Sequence, residues 1–198
     1  MLVAESPTLA PQRAPAKARI LEIANDLFYR DGINNVGVDR IIAASAVTKA
    51  TFYKHYRAKD NLIVEYISSR HERARTQLQA IIANAPDAET ALQDFVAATA
   101  AEIAAPGFRG CPFINAAAEF PDAEHPVRRV VTAHRDWYVE TLAEQLKAMG
   151  HPVPGDGADE LLLARDGALA GGYAGDAIAA TAAFSRATSR ILTDARGH

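Results

Sequence analysis

Residues 45–61 read SAVTKATFYKHYRAKDN and bring together four lysine or arginine side chains, three aromatic residues and one histidine. The chain of 198 residues has a formal net charge of −3, so this cluster does not reflect a basic composition. Residues 1–60 hold nine Lys and Arg against six Asp and Glu, and the remainder is acidic. A cationic segment on an acidic body indicates that only this segment meets a polyanion.

Helical patterns surround the cationic segment. Apolar residues at helical spacing predict a first helix from Ala14 that ends at Gly32, and a short second helix follows near residues 38–42. Residues 45–47 form a connection of three residues, and Thr48 is the predicted N-cap of a third helix. Two short helices joined by such a turn, with polar and basic residues on the second, are typical of a helix-turn-helix whose second helix enters the major groove.

The third helix divides into two arcs. Val47, Phe52 and Tyr56 are predicted to point toward the first helix. Hydroxyl, imidazole and ammonium groups on the other arc suit phosphate oxygens, and a small side chain suits a base edge or a thymine methyl. The residues predicted to face DNA on or beside this helix are Thr48, Lys49, Ala50, Thr51, Tyr53, Lys54, His55 and Lys59.

Composition excludes several classes of protein. No apolar run reaches the roughly 20 residues that cross a bilayer, and the N-terminus lacks the pattern of a signal peptide. Cys111 is the only cysteine, so neither an intramolecular disulfide nor a cysteine-based zinc site is expected. We therefore predict a cytoplasmic protein with no membrane partner, no metal and no cofactor.

Residues 19–67, RILEIANDLFYRDGINNVGVDRIIAASAVTKATFYKHYRAKDNLIVEYI, resemble the DNA-binding head of the TetR family of bacterial repressors. The shared features are the first helix ending in Gly32, the Val-Thr pair that leaves the turn, the Thr-Phe-Tyr core of the reading helix, and Lys-Asp-Asn-Leu at 59–62. The rest of the chain agrees only in layout. The resemblance and the helical patterns predict an all-α fold of about nine helices, with a flexible arm at 1–13, a helix-turn-helix domain at 14–60, and a ligand-binding and dimerisation domain at 61–198.

The head departs from the family pattern at three positions. Ala46 replaces the usual turn glycine where the backbone takes a positive φ, which costs about 1 kcal/mol. Gly37 replaces a threonine that caps the second helix, so a backbone N–H is expected to make that phosphate contact, beside Arg40 on the same helix. Ala58 replaces a serine cap and leaves Asp60 to supply negative charge at the next helix start.

The resemblance implies a homodimer that binds double-stranded operator DNA, with two heads roughly 34–36 Å apart. It also implies that a small molecule bound in the body shifts the heads and releases the operator, with the fourth helix as the lever. The predicted dimer surface lies on the last two helices and comprises Leu161, Ala164, Ala168, Gly171, Gly172, Phe184 and Ile191. The alternative is that these residues form intramolecular core.

The predicted effector pocket combines apolar stripes with polar interruptions, which suits an apolar or aromatic ligand with one or two polar groups. Its candidates are Phe95, Cys111, Phe113, Asn115, Glu119, His134, Trp137, Tyr138 and Tyr173. The aromatic residues could equally be plain core, and His134 a hydrogen-bonded core residue.

Cys111 raises a second hypothesis, because it lies near a predicted helix start beside Arg109, where a thiol pKa is lowered. Some members of the family sense oxidants or electrophiles through a cysteine in such a setting; the alternative is a small buried residue. Three other functions are remote alternatives. An enzyme using Cys111 with His125 or His134, or a metal site in the acidic loop at 122–125, would lack any recognisable catalytic or metal-binding signature. A helical scaffold would leave the cationic third helix unexplained.

Overall fold

The computed structural model describes residues 15–196, and within them the chain forms nine α-helices and no strand, which confirms the all-α prediction. The predicted arm at 1–13 and the predicted helix start at Ala14 lie outside the described residues. The helices are α1 (Ala16–Asp31), α2 (Val38–Ser45), α3 (Lys49–His55), α4 (Lys59–Asn84), α5 (Ala88–Ala104), α6 (Pro112–Glu119), α7 (Pro126–Ala148), α8 (Pro154–Ala174) and α9 (Ala177–Arg196).

Helices α1 to α3 form a small head that packs on the start of α4. Phe52 and Tyr56 are fully buried in it, as predicted, and Val47 packs against the same core. The rings of Phe28 on α1 and Tyr66 on α4 meet edge to face, with centroids 5.4 Å apart. Burial of these aromatic side chains stabilises the head and fixes the orientation of α3 on it.

The turn between α2 and α3 has the conformation that the sequence predicts. Ala46 has φ 50° and ψ 48°, in the left-handed region, and it is the only described non-glycine residue with positive φ. The alanine Cβ makes this conformation unfavourable by about 1 kcal/mol. Thr48 is the N-cap of α3, because its Oγ1 accepts a hydrogen bond from the Thr51 N–H at 3.1 Å. The turn therefore keeps its shape at a small cost.

Helices α4 to α9 form the body, in which α8 packs most extensively on α9 and on α7. Its interior is apolar, and rings of Phe95, Tyr138 and Phe184 meet there at centroid distances of 6.0 and 6.3 Å. Helix α4 belongs to both parts, since its first turns pack on the head and its later turns on α5 and α7. No helix among residues 15–196 is both long enough and apolar enough to cross a membrane.

The predicted dimer residues lie mostly inside the chain. Four of these predicted dimer residues are already buried within a single chain, namely Leu161, Ala168, Phe184 and Ile191. They fill the contact of α8 with α9 and α5, which agrees with the intramolecular alternative and leaves little of their area for a partner. Ala164 and Gly171 are half-buried and line a groove of about 520 Å³ between α8 and α9.

Gly172 has an intramolecular role in the approach of α8 to α5. A Cβ at this position would lie 2.6 Å from Cγ2 of Ile103, so either the Ile103 side chain or one of the two helices would have to shift. The missing side chain therefore allows the observed packing of α8 on Ile103.

Gly172→Ala is expected to lower the free energy of unfolding by about 1 kcal/mol, because an overpacking cost of about 1–3 kcal/mol exceeds the helix propensity that alanine adds, about 1 kcal/mol. Gly155→Ala is the matched control on the same helix, because nothing lies within 4 Å of its added Cβ. Urea unfolding followed by circular dichroism measures both. Equal stability of the two variants would show that α8 tolerates a side chain at 172.

Candidate nucleic-acid interface and effector cavity

The outward face of α3 is polar and basic. Tyr53 is 43% exposed although its neighbour Phe52 is fully buried. The side chains of Thr48, Lys49, Ala50, Lys54 and His55 are also exposed. The structure therefore brings these six predicted DNA-facing residues together on one surface. Thr51 is half-buried, and its hydroxyl lies 2.8 Å from that of Thr48.

The start of α2 lies beside this surface. Gly37 is the N-cap of α2 in an extended conformation, and a Cβ there would meet nothing within 4 Å, so its backbone is open to a large neighbour. Arg40 pairs with Asp31 at 2.6 Å, and Lys49 lies 3.6 Å from Asp39. Exposed ion pairs of this kind contribute little to the stability of the fold. Both cations can therefore exchange their carboxylate partner for a DNA phosphate.

Lys59 differs from its predicted position on the DNA face. Its ammonium group donates a hydrogen bond to the backbone carbonyl of Ile33 at 2.7 Å and lies over the ring of Phe28 at 5.8 Å. Burial lowers the pKa of Lys59. The side chain thus ties the start of α4 to the α1–α2 loop instead of extending toward a phosphate.

Glu119, predicted to line the effector pocket, joins the body to the head. From the end of α6 its carboxylate accepts hydrogen bonds from the backbone N–H of Ile33 at 2.9 Å and of Asn34 at 2.6 Å. Both groups belong to the α1–α2 loop that Lys59 also holds. A carboxylate that accepts two N–H bonds makes a strong, geometrically defined contact, so α6 is tied directly to the head.

A second set of bonds connects α1 with the segment before α6. The hydroxyl of Tyr29 accepts a hydrogen bond from the Arg109 N–H at 2.8 Å and donates one to the Gly110 carbonyl at 3.0 Å. Asn115 donates its amide to the carbonyl of Arg109 at 2.9 Å, and Arg109 donates to the hydroxyl of Tyr173. Asn115, Glu119 and Tyr173 therefore lie at the seam between head and body, around a cavity of about 110 Å³.

A larger cavity of about 220 Å³, the body cavity, lies among α4, α5, α6, α7 and α8. Three of the predicted pocket residues, Phe95, Phe113 and Tyr138, line it. The complete lining is Arg70, Arg73, Ala74, Gln77, Leu78, Ile81, Phe95, Ala98, Thr99, Glu102, Pro112, Phe113, Tyr138 and Arg165. The cavity is partly open, and its lining combines aromatic and aliphatic side chains with several polar and charged ones, a combination that can hold and orient a small molecule.

Arg165 is the most deeply buried charged residue among the lining residues that sequence reasoning missed. It is 7% exposed, its nearest carboxylate oxygens, on Glu102 and Asp166, lie 3.9 Å away, and its Nε has no hydrogen-bond partner. Its guanidinium lies 4.8 Å from the ring centre of Tyr138. The sequence did contain a signal for Arg165, because an arginine four residues after Leu161 falls on the apolar stripe of α8. A charged side chain on a buried stripe usually has a partner or a functional role.

His134 lies in an aromatic cluster and lines a further cavity of about 120 Å³, separate from the body cavity and from the cavity at the seam, together with Cys111 and Phe113. Its Nδ1 is 3.0 Å from Nδ1 of His71, and its ring stacks on Phe113 with centroids 3.4 Å apart. Burial, with smaller contributions from nearby positive charges, lowers the pKa of His134 to about 3, so the imidazole is neutral at physiological pH. Trp137 packs edge-on against His71 and lines neither the body cavity nor this further cavity.

Residues 20–66 match the family model described as bacterial regulatory proteins of the tetR family, and residues 88–150 match the tetracyclin repressor-like C-terminal domain. A solved TetR-family transcriptional regulator from Streptomyces coelicolor is 38% identical over 91% of this chain and 95% of its own, with a TM-score of 0.88. The chain belongs to the TetR family of DNA-binding transcriptional regulators.

Two further structures share the fold of this TetR-family regulator. A putative regulator from Streptomyces avermitilis is 24% identical, covers 93% of this chain and 100% of its own, and has a TM-score of 0.77. A regulator from Agrobacterium tumefaciens is 22% identical over 90% and 96%, with a TM-score of 0.76. No curated protein sequence matches the chain.

Cys111 of this TetR-family regulator does not have the environment that the sequence predicts for a reactive thiol. It is the N-cap of α6, but it is 5% exposed, and burial raises the pKa of its thiol. The predicted lowering of this pKa is therefore wrong, because desolvation outweighs the helix terminus and the nearby arginine. Among residues 15–196, no group of three or more His, Cys, Asp and Glu could hold a metal ion.

Proposed function

We propose that this chain is a homodimeric repressor that binds operator DNA through α3 and releases it when a small molecule occupies the body cavity. The observation that carries the proposal is the α6 connection, because Phe113 lines the body cavity and Glu119, on the same short helix, holds the α1–α2 loop of the head. In this proposal residues 14–60 act as the DNA-binding domain and residues 61–198 as the ligand-binding and dimerisation domain.

The proposed DNA contacts follow from exposure and chemistry. Lys49, Lys54 and Tyr53 reach phosphates, and Ala50 approaches a base edge because its side chain is small. Thr48, Thr51 and His55 add hydrogen bonds, and the start of α2 contributes the backbone of Gly37 and the side chain of Arg40. Lys59 is left out, because its ammonium group is already bonded within the head.

The proposed dimer forms along the groove between α8 and α9. Its walls carry small residues, among them Ala164, Gly171, Ala180 and Ala183, which allow helices of a second copy to approach closely. Ile178, at the start of α9, is 82% exposed and would gain from burial. A dimer of this kind would place two heads on successive turns of one DNA face, roughly 34–36 Å apart.

Release requires that the effector bind the conformation without DNA more tightly, and a hundredfold effect corresponds to about 3 kcal/mol of coupling. In the proposed mechanism a ligand that displaces Phe113 shifts α6, and Glu119 transmits the shift to the α1–α2 loop. The spacing of the two heads then no longer matches the operator.

Selection from random duplex DNA with the full-length protein, followed by affinity measurements from 50 to 300 mM salt, tests DNA binding through α3. Each phosphate contact contributes about 0.9 to the slope of log affinity against log salt, so Lys54→Ala is expected to reduce the slope by about 2 for a dimer. Lys147→Ala, an exposed lysine at the end of α7, is the control and should leave the slope unchanged. Affinity that does not vary with salt would contradict the assignment of α3.

A further inference from the structure

We propose that the effector is a small organic anion, a carboxylate on an aromatic or aliphatic body, whose charged end binds Arg165 in the body cavity. This inference rests on the proposed function and adds the chemical class of the ligand. It also narrows the sequence-based expectation of an apolar or aromatic effector with one or two polar groups, because the charged residue that selects the ligand was not among the predicted ones.

The first observation is a buried guanidinium that packs on the ring of Tyr138 but has no carboxylate of the described residues within hydrogen-bonding distance. Arg165 is 7% exposed, and both carboxylates near it stand at 3.9 Å, beyond hydrogen-bonding distance. Asp166 is already bonded to Arg135, and the Glu102 side chain is 42% exposed to solvent. The Nε of Arg165 has no partner among the described residues. The Tyr138 ring and the two carboxylates at 3.9 Å compensate part of this charge, and a bound carboxylate would add the paired hydrogen bonds that they do not supply.

The second observation is the charge balance of the cavity. Three arginines, at 70, 73 and 165, line it against one carboxylate, that of Glu102. Arg70 uses one nitrogen on the Asn25 carbonyl at 3.2 Å, and its Nε has no partner. The excess of positive charge attracts an anion and disfavours a cation. A neutral ligand such as an amide can accept hydrogen bonds from Arg165 only without the charge assistance of a carboxylate, so it gains less from the same cavity.

The third observation concerns the remaining walls. Leu78, Phe95, Phe113 and Tyr138 present apolar and aromatic surface to the same space. A volume of about 220 Å³ lies below the usual range of drug-sized sites, about 300–1,000 Å³. It therefore suits one ring or a short alkyl chain. The ligand that fits both the walls and Arg165 is an amphipathic monocarboxylate.

Calorimetric titration of the full-length protein with 3-phenylpropionate and with 3-phenylpropionamide tests the inference, and octanoate with octanamide forms a second pair. Each acid should bind about 10- to 100-fold more tightly than its amide, the range expected for a hydrogen-bonded charge. Arg165→Met should remove this preference. Arg75→Met is the matched control, because Arg75 also has a buried Nε without a partner but does not line the body cavity.

Thermal unfolding shows whether Arg165→Met is folded. If it is not, Arg165→Lys replaces it and should keep a reduced preference, because the charge remains and the planar fork is lost. Equal binding of acid and amide, no binding of either at millimolar concentration, or a preference that persists in Arg165→Met would overturn the inference. Operator binding is measured separately, so DNA binding without an anion preference would reject only this ligand class. An anion that binds Arg165 without altering operator affinity would reject the proposed effector-controlled release.

Discussion

Phe52→Ala is expected to lower the free energy of unfolding of the head by about 3–5 kcal/mol and to abolish operator binding. Phe52 is fully buried, and its ring contacts those of Tyr53 and Tyr56 at centroid distances of 5.3 and 5.9 Å. Truncation leaves a cavity beneath α3, a helix of only seven residues that is too short to persist without its packing. Hydrogen exchange of the α3 amides in the full-length protein measures the loss directly.

Tyr53→Ala is the control for Phe52→Ala, because it removes the adjacent aromatic side chain from the exposed side of the same helix. It should weaken operator binding and lower the protection of the α3 amides much less than Phe52→Ala does, since it removes one edge-to-face contact with Phe52, about 0.5–1.5 kcal/mol, and leaves no buried cavity. If both variants lost α3 protection equally, the division of this helix into a buried and a DNA-facing arc would be incorrect.

Glu119→Ala is expected to destabilise the junction of head and body by about 2 kcal/mol, because hydrogen bonds to a charged group contribute about 1.5–3 kcal/mol each and this carboxylate is partly exposed to water. The backbone N–H groups of Ile33 and Asn34 lose their acceptor. Glu119→Gln keeps one oxygen and should lose about half as much. Urea unfolding and hydrogen exchange of the α1–α2 loop measure the effect.

The matched control for Glu119 is Glu124→Gln, because Glu124 pairs only with Arg129 at the surface, 3.3 Å away and with both side chains well exposed. That pair should contribute less than about 1 kcal/mol. Operator affinity of the Glu119→Ala variant, measured with and without the 3-phenylpropionate ligand, tests whether α6 connects the body cavity to the head. An unchanged response to the ligand would show that α6 does not transmit binding through Glu119.

Most of the head was predictable because its signals are local. Gly32 ends α1 with φ 88°, Thr48 caps α3, and Ala46 has the left-handed conformation expected for the turn. Capping, helix termination and the separation of buried from exposed arcs depend on residues within about one helical turn of each other. Lys59 was the exception in this region, because its partner is the carbonyl of Ile33, 26 residues earlier in the chain.

The body was less predictable because its important contacts join distant segments. Asn115, Glu119 and Tyr173 were predicted to line a ligand pocket but lie at the seam between head and body. Helical periodicity shows that a residue faces inward, but not which neighbour it meets, so a pocket residue and a connecting residue look alike in one sequence.

The sequence by itself determined the helical class, the head and the cationic arc of α3, because these depend on composition, periodicity and short-range capping. Only the tertiary structure decided that Arg165 is buried with its Nε unpaired and that Glu119 accepts hydrogen bonds from the head. It also showed that the glycine at position 172 leaves room for the side chain of Ile103. The physical reason is that burial and pairing of a charge depend on which helices meet, and such a meeting joins distant residues, as it joins Glu119 to Ile33, 86 positions away.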